Sequence, residues 1–154
     1  MIDFYKTDKF NKSVLNFIKI KSFDIIFNNI SLNIYIKHDG FIIPGSSIKN
    51  DTISLYPSLF MDPIFNDHEF TVEHITAILG HEFGHYKFNH DRMIAINPTE
   101  EEFYADQYSI KILSKLNINT FYMKDSLKLI LSIKNGIGIK DDKYLIERIN
   151  KLNE

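Results

Sequence analysis

The spacing His81-Glu82-Phe83-Gly84-His85 constrains the fold of this chain more than any other feature. Apolar periodicity predicts a helix over residues 71–90 that carries it. Residues four apart on a helix lie on neighbouring turns, so His81 and His85 can each direct a ring nitrogen at one metal ion. Glu82 lies about 100° round the helix axis from His81, which suits a base beside that ion. The motif therefore predicts a helix that supplies two zinc ligands and a catalytic base.

A third ligand is expected downstream, because a catalytic zinc ion usually has three protein ligands and one open position. Glu102 and Asp106 share a face of a helix predicted over residues 98–116. Glu102 would complete a site for one zinc ion per chain, and Asp106 would accept the other ring N–H of a ligating histidine. Ala105 would keep the crossing of the two helices close.

The start of the second helix has two interpretations. Thr99 and Glu102 have the spacing of a capping box, which would commit the Glu102 carboxylate to a backbone amide. Alternatively, Asn97 caps the helix, Pro98 takes its first position, and Glu100 has the box role. The second interpretation leaves Glu102 available as a ligand, and we favour it because of the upstream HExxH spacing.

These two segments resemble the signature of a known family. HEFGH at 81–85 followed by Glu102-Phe-Tyr-Ala-Asp106 is similar to the HExxH plus ExxAD motifs of the gluzincin metallopeptidases. The motifs resemble in particular those of the group that contains the CAAX prenyl proteases, the HtpX-type membrane proteases and the small soluble minigluzincins. Residues 75–90 resemble the active-site helix of that group, and residues 148–152 resemble its closing RI-x-x-L helix. The resemblance implies a zinc endopeptidase.

Upstream segments resemble the same family. Residues 41–44 and 52–56 are similar to its hairpin and its edge strand. Ile53, Ser54 and Leu55 would then lie at a sheet edge beside the metal, where an extended peptide substrate can bind by strand addition.

One position departs from the family pattern. The family commonly has His-Pro six residues before the arginine of the closing helix, and this chain has Asp142-Lys143. The family histidine is thought to bind substrate or stabilise the transition state, which an acidic group cannot do for a developing oxyanion. Tyr144 or Arg148 would have to substitute. The chain also lacks the membrane helices of the larger relatives, so their membrane-associated substrates are not expected here.

Composition fits a single domain spanning residues 1–154. With 154 residues and 44% hydrophobic residues, the chain can bury a core. The formal charge of -2, without a dense Lys/Arg run, argues against nucleic acid as a partner. The absence of cysteine excludes disulfides and thiolate ligands. No apolar signal core or membrane-spanning window occurs, so we expect a cytoplasmic protein.

The pattern of elements predicts an α+β class. An amphipathic helix is expected near 8–20, strands near 31–37, 41–43 and 52–56, and further helices near 120–134 and 141–152. Strands followed by helices indicate a zincin-like domain: a small mixed or antiparallel sheet, its edge strand over the HExxH helix, and a helical C-terminal half.

The combined prediction is a zinc-dependent endopeptidase acting on a peptide or protein substrate. Glu82 would accept a proton from the attacking water and return it to the leaving amine. Two alternatives stay open. One is a regulatory peptidase of the ImmA/IrrE type, which shares the motifs and the chemistry but cuts a specific regulator. The other is a zinc-stabilised binding module or pseudoenzyme, which the missing His-Pro keeps open.

Overall fold

A computed structural model describes residues 12, 33–36, 46–49, 52–55, 59, 69–140 and 142–152. Four helices occupy the part from residue 69 onward. They are α1 (Val72–His90), α2 (Pro98–Lys115), α3 (Phe121–Gly136) and α4 (Lys143–Lys151). The four helices predicted for this part of the chain are confirmed, each end within two residues. The helix predicted near 8–20 lies outside the described residues, apart from a helical Lys12.

The predicted α+β class is wrong for the described structure. From residue 69 to residue 152 the described chain is helical and contains no strand. Strands occur only upstream, as three segments of four residues each: β1 (Asn33–Ile36), β2 (Ser46–Lys49) and β3 (Thr52–Leu55). Such short ladders form few hydrogen bonds, whereas the long helices bury apolar faces against one another. The described part of the chain is therefore predominantly helical, and the alternating sequence pattern led us to expect a larger contribution from strands.

The order of the described strands also corrects the sequence interpretation. The order is β1-β3-β2, with β1 parallel and β2 antiparallel to β3. In the strand register, Ile53 of β3 pairs with Ile34 of β1 on one side and with Ile48 of β2 on the other. The placement of Ile53, Ser54 and Leu55 on an edge strand is therefore wrong, because both backbone edges of β3 are already paired. The strand predicted at 41–43 lies outside the described residues.

Helix α1 forms the centre of the described structure. Every residue from His74 to Gly84 is buried, so the helix packs on nearly all sides. One apolar cluster joins α1 to β3 and α2, and a second joins it to α3 and α4. The metal-ligand motif therefore lies on the most enclosed element of the described chain.

The crossing of α1 and α2 is close because small residues meet there. A Cβ atom at Gly84 would lie 2.5 Å from the Cα of Ala105, and one at Gly80 would lie 3.0 Å from Ser109 Oγ. The Ser109 hydroxyl donates a hydrogen bond to the Ala77 carbonyl at 2.6 Å. The expected close approach at Ala105 is confirmed. This approach brings Glu102, one turn before Asp106, next to the histidines of α1.

Among the described helices, none has the length and apolar character needed to cross a membrane.

Candidate metal centre

Three side chains from α1 and α2 converge on one point. His81 Nε2 and His85 Nε2 lie 3.0 Å apart. His81 Nε2 is 3.2 Å from Glu102 Oε2, and His85 Nε2 is 3.2 Å from Glu102 Oε1. Both histidines thus present the same ring nitrogen to the carboxylate of the neighbouring helix.

The start of α2 explains why Glu102 is available. Asn97 is the N-cap, and its side chain accepts a hydrogen bond from the Glu100 backbone N–H at 3.0 Å. Pro98 takes the first helical position, and the Glu100 carboxylate accepts from the Ile96 backbone N–H at 2.7 Å. The favoured interpretation of this helix start is confirmed, although Glu100 reaches Ile96 rather than the backbone of the cap. Glu102 is left on the second turn, facing α1.

The geometry and chemistry of this group fit a metal ion. The ligand atoms of His81, His85 and Glu102 all lie within 4.8 Å of one another. Ligand atoms of a tetrahedral site with metal–nitrogen distances of about 2.0–2.1 Å lie roughly 3.3 Å apart, close to the separations found here. Two imidazole lone pairs and a carboxylate repel one another at such distances unless a cation or a proton lies between them. His81, His85 and Glu102 can therefore hold a metal ion.

Asp106 and Arg148 support His81 from behind. Asp106 is fully buried and accepts a hydrogen bond from His81 Nδ1 at 2.8 Å. Arg148, on α4, donates to both oxygens of Asp106, from Nε at 2.9 Å and from Nη2 at 2.7 Å. Its Nη1 lies 3.3 Å from Glu102 Oε2. The arginine thus orients both carboxylates, one behind the histidine and one among the ligands.

These contacts shift the pKa values of the group. Burial alone would lower the pKa of His81, but hydrogen bonds to Asp106 and Glu102 raise it to about 9. Burial raises the pKa of Glu102, but hydrogen bonds from His81 and His85 outweigh it and hold that pKa below its ordinary value. Burial likewise raises the pKa of Asp106, but the hydrogen bonds from Arg148 and His81 outweigh it and hold that pKa below its ordinary value. Without a metal ion, these contacts favour the protonated form of His81, and a bound ion would compete with that proton.

Glu82 lies beside the ligands and is buried, with 4% of its surface exposed. Its Oε1 accepts a hydrogen bond from the hydroxyl of Ser46, on β2, at 2.5 Å. Both residues line the same cleft as the three ligands. The structure thus brings Glu82, the predicted base, into the same cleft as the three candidate ligands.

The two predicted transition-state stabilisers have different environments. Tyr144 is 67% exposed and lines the cleft, so its hydroxyl is accessible. The Arg148 guanidinium is engaged with Asp106 and Glu102, as described above. Asp142, which stands where the family pattern has histidine, caps α4 and pairs with Lys134 at 2.6 Å. The lysine holds the pKa of Asp142 below its ordinary value.

The cleft over the centre has a volume of about 690 Å³. Part of its wall is apolar, formed by side chains of α1, α3 and α4: Ile78, Met123, Leu127, Ile130 and Leu145. This space is sufficient for a segment of peptide.

Two residues of the site were not predicted from the sequence. Ser46 lies outside the strands and the site residues predicted above, but it begins β2 and contacts Glu82. Glu101 Oε1 lies 3.7 Å from His85 Nδ1, on the side of that ring away from Glu102. The acidic run at 100–102 is visible in the sequence, whereas nothing local to Ser46 indicates its partner 36 residues away.

Comparison of the chain with models of protein families, with curated proteins and with solved structures found no match. The resemblance to gluzincin peptidases therefore rests on the sequence motifs alone. What the geometry adds is a group of two histidines and one glutamate, with His81 buried and His85 and Glu102 half-buried, that can hold a metal ion.

Proposed function

We propose that this chain is a zinc-dependent endopeptidase. One observation carries the proposal: His81 and His85 direct Nε2 at the Glu102 carboxylate while Asp106 accepts the Nδ1–H of His81. This is the arrangement of a ligand triad with an oriented histidine. Glu82 lines the same cleft, as a hydrolytic site requires.

The donor set favours zinc over other ions. Two imidazoles and one carboxylate are the donors of many catalytic zinc sites, and three protein ligands leave a coordination position open. Calcium and magnesium prefer sites built from oxygen alone. We therefore infer one zinc ion per chain, held by His81, His85 and Glu102.

Each residue has a distinct task in the proposed reaction. When bound, zinc supplies Lewis acidity, which polarises a carbonyl and makes water a nucleophile at neutral pH. Glu82 accepts the proton of the attacking water on a carboxylate oxygen and then donates it to the leaving amine. Asp106 holds His81 in the tautomer with Nδ1 protonated, and Arg148 holds Asp106. Tyr144, which is exposed and lines the cleft, is the residue that we infer donates to the developing oxyanion.

The substrate class follows from the cleft and from the resemblance. The cleft accepts a peptide or protein segment, and the HExxH plus ExxAD motifs resemble those of peptidases. A regulatory peptidase of the ImmA/IrrE type would use the same residues and the same chemistry on one specific protein. The cytoplasmic location stays a prediction from the sequence.

Zinc content and casein cleavage of the purified protein test the proposal. We expect about one zinc per chain by mass spectrometry and zinc-dependent cleavage of labelled casein. Glu102→Ala should lose the metal and the activity together, because it removes a ligand. Glu82→Gln should keep the metal while losing activity by about 100-fold or more, because it removes only the base.

The possible outcomes separate the alternatives. Bound zinc without cleavage of any protein substrate would leave a zinc-stabilised binding module. Absence of zinc after zinc has been supplied would contradict the metal centre itself. Equal turnover by Glu82→Gln and the original protein would contradict the role of Glu82 as base.

A further inference from the structure

Glu82 is a buried carboxylate with one hydrogen-bond partner among the described residues. Only 4% of its surface is exposed, and the hydroxyl of Ser46 donates to its Oε1 at 2.5 Å. A buried carboxylate without partners is unfavourable, and one with free torsions samples several orientations. The single hydroxyl therefore has a large influence on where this carboxylate lies.

Ser46 reaches Glu82 from a different layer of the fold. It begins β2, whose register with β3 places it opposite Leu55, a fully buried residue. Strand β2 in turn contacts α1. Because β3 is anchored in the core that it shares with α1, the position of the Ser46 hydroxyl is fixed by packing rather than by a free loop.

We propose that Ser46 is a positioning residue for the catalytic base. Its hydroxyl holds Oε1 of Glu82, and Oε2 is left without a partner among the described residues, available for the attacking water. The inference rests on the proposed peptidase function. It adds a requirement that the HExxH motif does not contain: the base depends on a serine from the strand beside the active-site helix.

The physical reason is orientation. A general base must lie within hydrogen-bond reach of the proton that it accepts, and a displacement of about 1 Å can cost about 100-fold in rate. Anchoring one oxygen removes rotation about the terminal torsion of Glu82 and fixes the other oxygen. Among the described residues, no hydrogen bond joins Ser46 to His81, His85 or Glu102, so we expect zinc binding to be unchanged when its hydroxyl is removed.

Kinetics on labelled casein test this role with three serine variants. Ser46→Ala should lower kcat about tenfold with KM and zinc content unchanged, because orientation affects the chemical step alone. Ser46→Thr keeps the hydroxyl and should retain most of kcat. The matched control Ser114→Ala removes an exposed hydroxyl on α2 and should change nothing.

A second measurement needs no activity. In zinc-free protein, we expect the effects of Ser46→Ala and Glu82→Ala to be non-additive. The sum of their separate shifts in the urea unfolding midpoint should differ from the shift of the double variant. Additive shifts would mean that the two side chains do not interact, which would overturn the inference whatever the kinetics show.

Each remaining outcome has a defined meaning. If the original protein cleaves casein and Ser46→Ala keeps its full kcat, the inference is overturned and the peptidase proposal stands. A rise in KM with kcat unchanged would assign Ser46 to substrate binding and would equally overturn it. If the original protein binds zinc but does not cleave casein, general endopeptidase activity is contradicted, and the double-variant measurement alone decides whether Ser46 holds Glu82.

Discussion

Helix α1 carries two buried histidines, His74 and His81, that each pair with an aspartate but do so through opposite ring nitrogens. The Nδ1 of His74 accepts from the Thr71 backbone N–H at 3.0 Å, so its protonated Nε2 donates to Asp125 at 2.7 Å. His81 donates from Nδ1 to Asp106 at 2.8 Å, which directs Nε2 toward His85 and Glu102.

The difference teaches how the same pair of residue types serves two purposes. The lone pair of His74 is consumed in a capping box at the start of α1, so this ring fastens the helix end and joins α1 to α3. The Nε2 of His81, by contrast, faces the imidazole of His85 and the carboxylate of Glu102. Whether a buried histidine is structural or available to a metal therefore depends on which nitrogen its aspartate takes.

Replacing each histidine by alanine tests the comparison most severely. His81→Ala should weaken zinc binding more than about 100-fold, because losing a ligand costs more affinity than losing a residue that only hydrogen-bonds to a ligand. His74→Ala should keep the zinc affinity and lose about 1–3 kcal/mol of unfolding free energy, because its hydrogen bonds are structural. Zinc titration and urea unfolding of both variants measure the two effects. A similar loss of zinc affinity in both would remove the distinction.

The two aspartates should differ in the same way, with a smaller effect. Asp106→Asn should weaken zinc binding about 10- to 100-fold, because His81 loses its anionic partner. Asp125→Asn, at a carboxylate that is 37% exposed, should leave zinc affinity unchanged and cost less than about 1 kcal/mol. Competition with a zinc chelator gives both affinities. Equal affinities in the two variants would contradict the support role of Asp106.

The smallest effect concerns pH and the metal-free protein. The pKa of His81 is about 9 in the folded state against an ordinary value of 6.5, so the folded state binds more protons between those values. Its contribution to stability is complete below about pH 6.5 and is lost as the pH rises toward 9, by about 1 kcal/mol between pH 7 and pH 8. Urea unfolding of chelator-treated protein across this range measures the slope.

His81→Ala is the control for that slope, since it removes the titrating group. The variant should show a flatter pH dependence in the same window. An identical slope in both proteins would assign the effect to other groups.

Local sequence patterns predicted the helical half of this molecule well. The start of α2 could be deduced without the fold, because Asn97, Pro98 and Glu100 lie within four consecutive positions. Their capping hydrogen bonds form within one turn. The register of His81, Glu82 and His85 follows from helix periodicity alone. The order of the strands was harder to predict. The alternation at Ile53 and Leu55 indicates which side chains are buried, but it does not indicate which strands are neighbours.

The sequence by itself determined the four helices after residue 69, the N-cap that leaves Glu102 available, and the residue types of a metal centre. Tertiary structure alone decided that His81, rather than His74, directs a ring nitrogen at a second histidine and a carboxylate. It also decided that Arg148 donates to Asp106 and that Ser46 contacts Glu82. It further decided that β3 lies between β1 and β2 and that the described part of the chain is predominantly helical. Contacts within one or two turns follow from local geometry, whereas contacts between residues far apart in the chain depend on how the helices and strands pack.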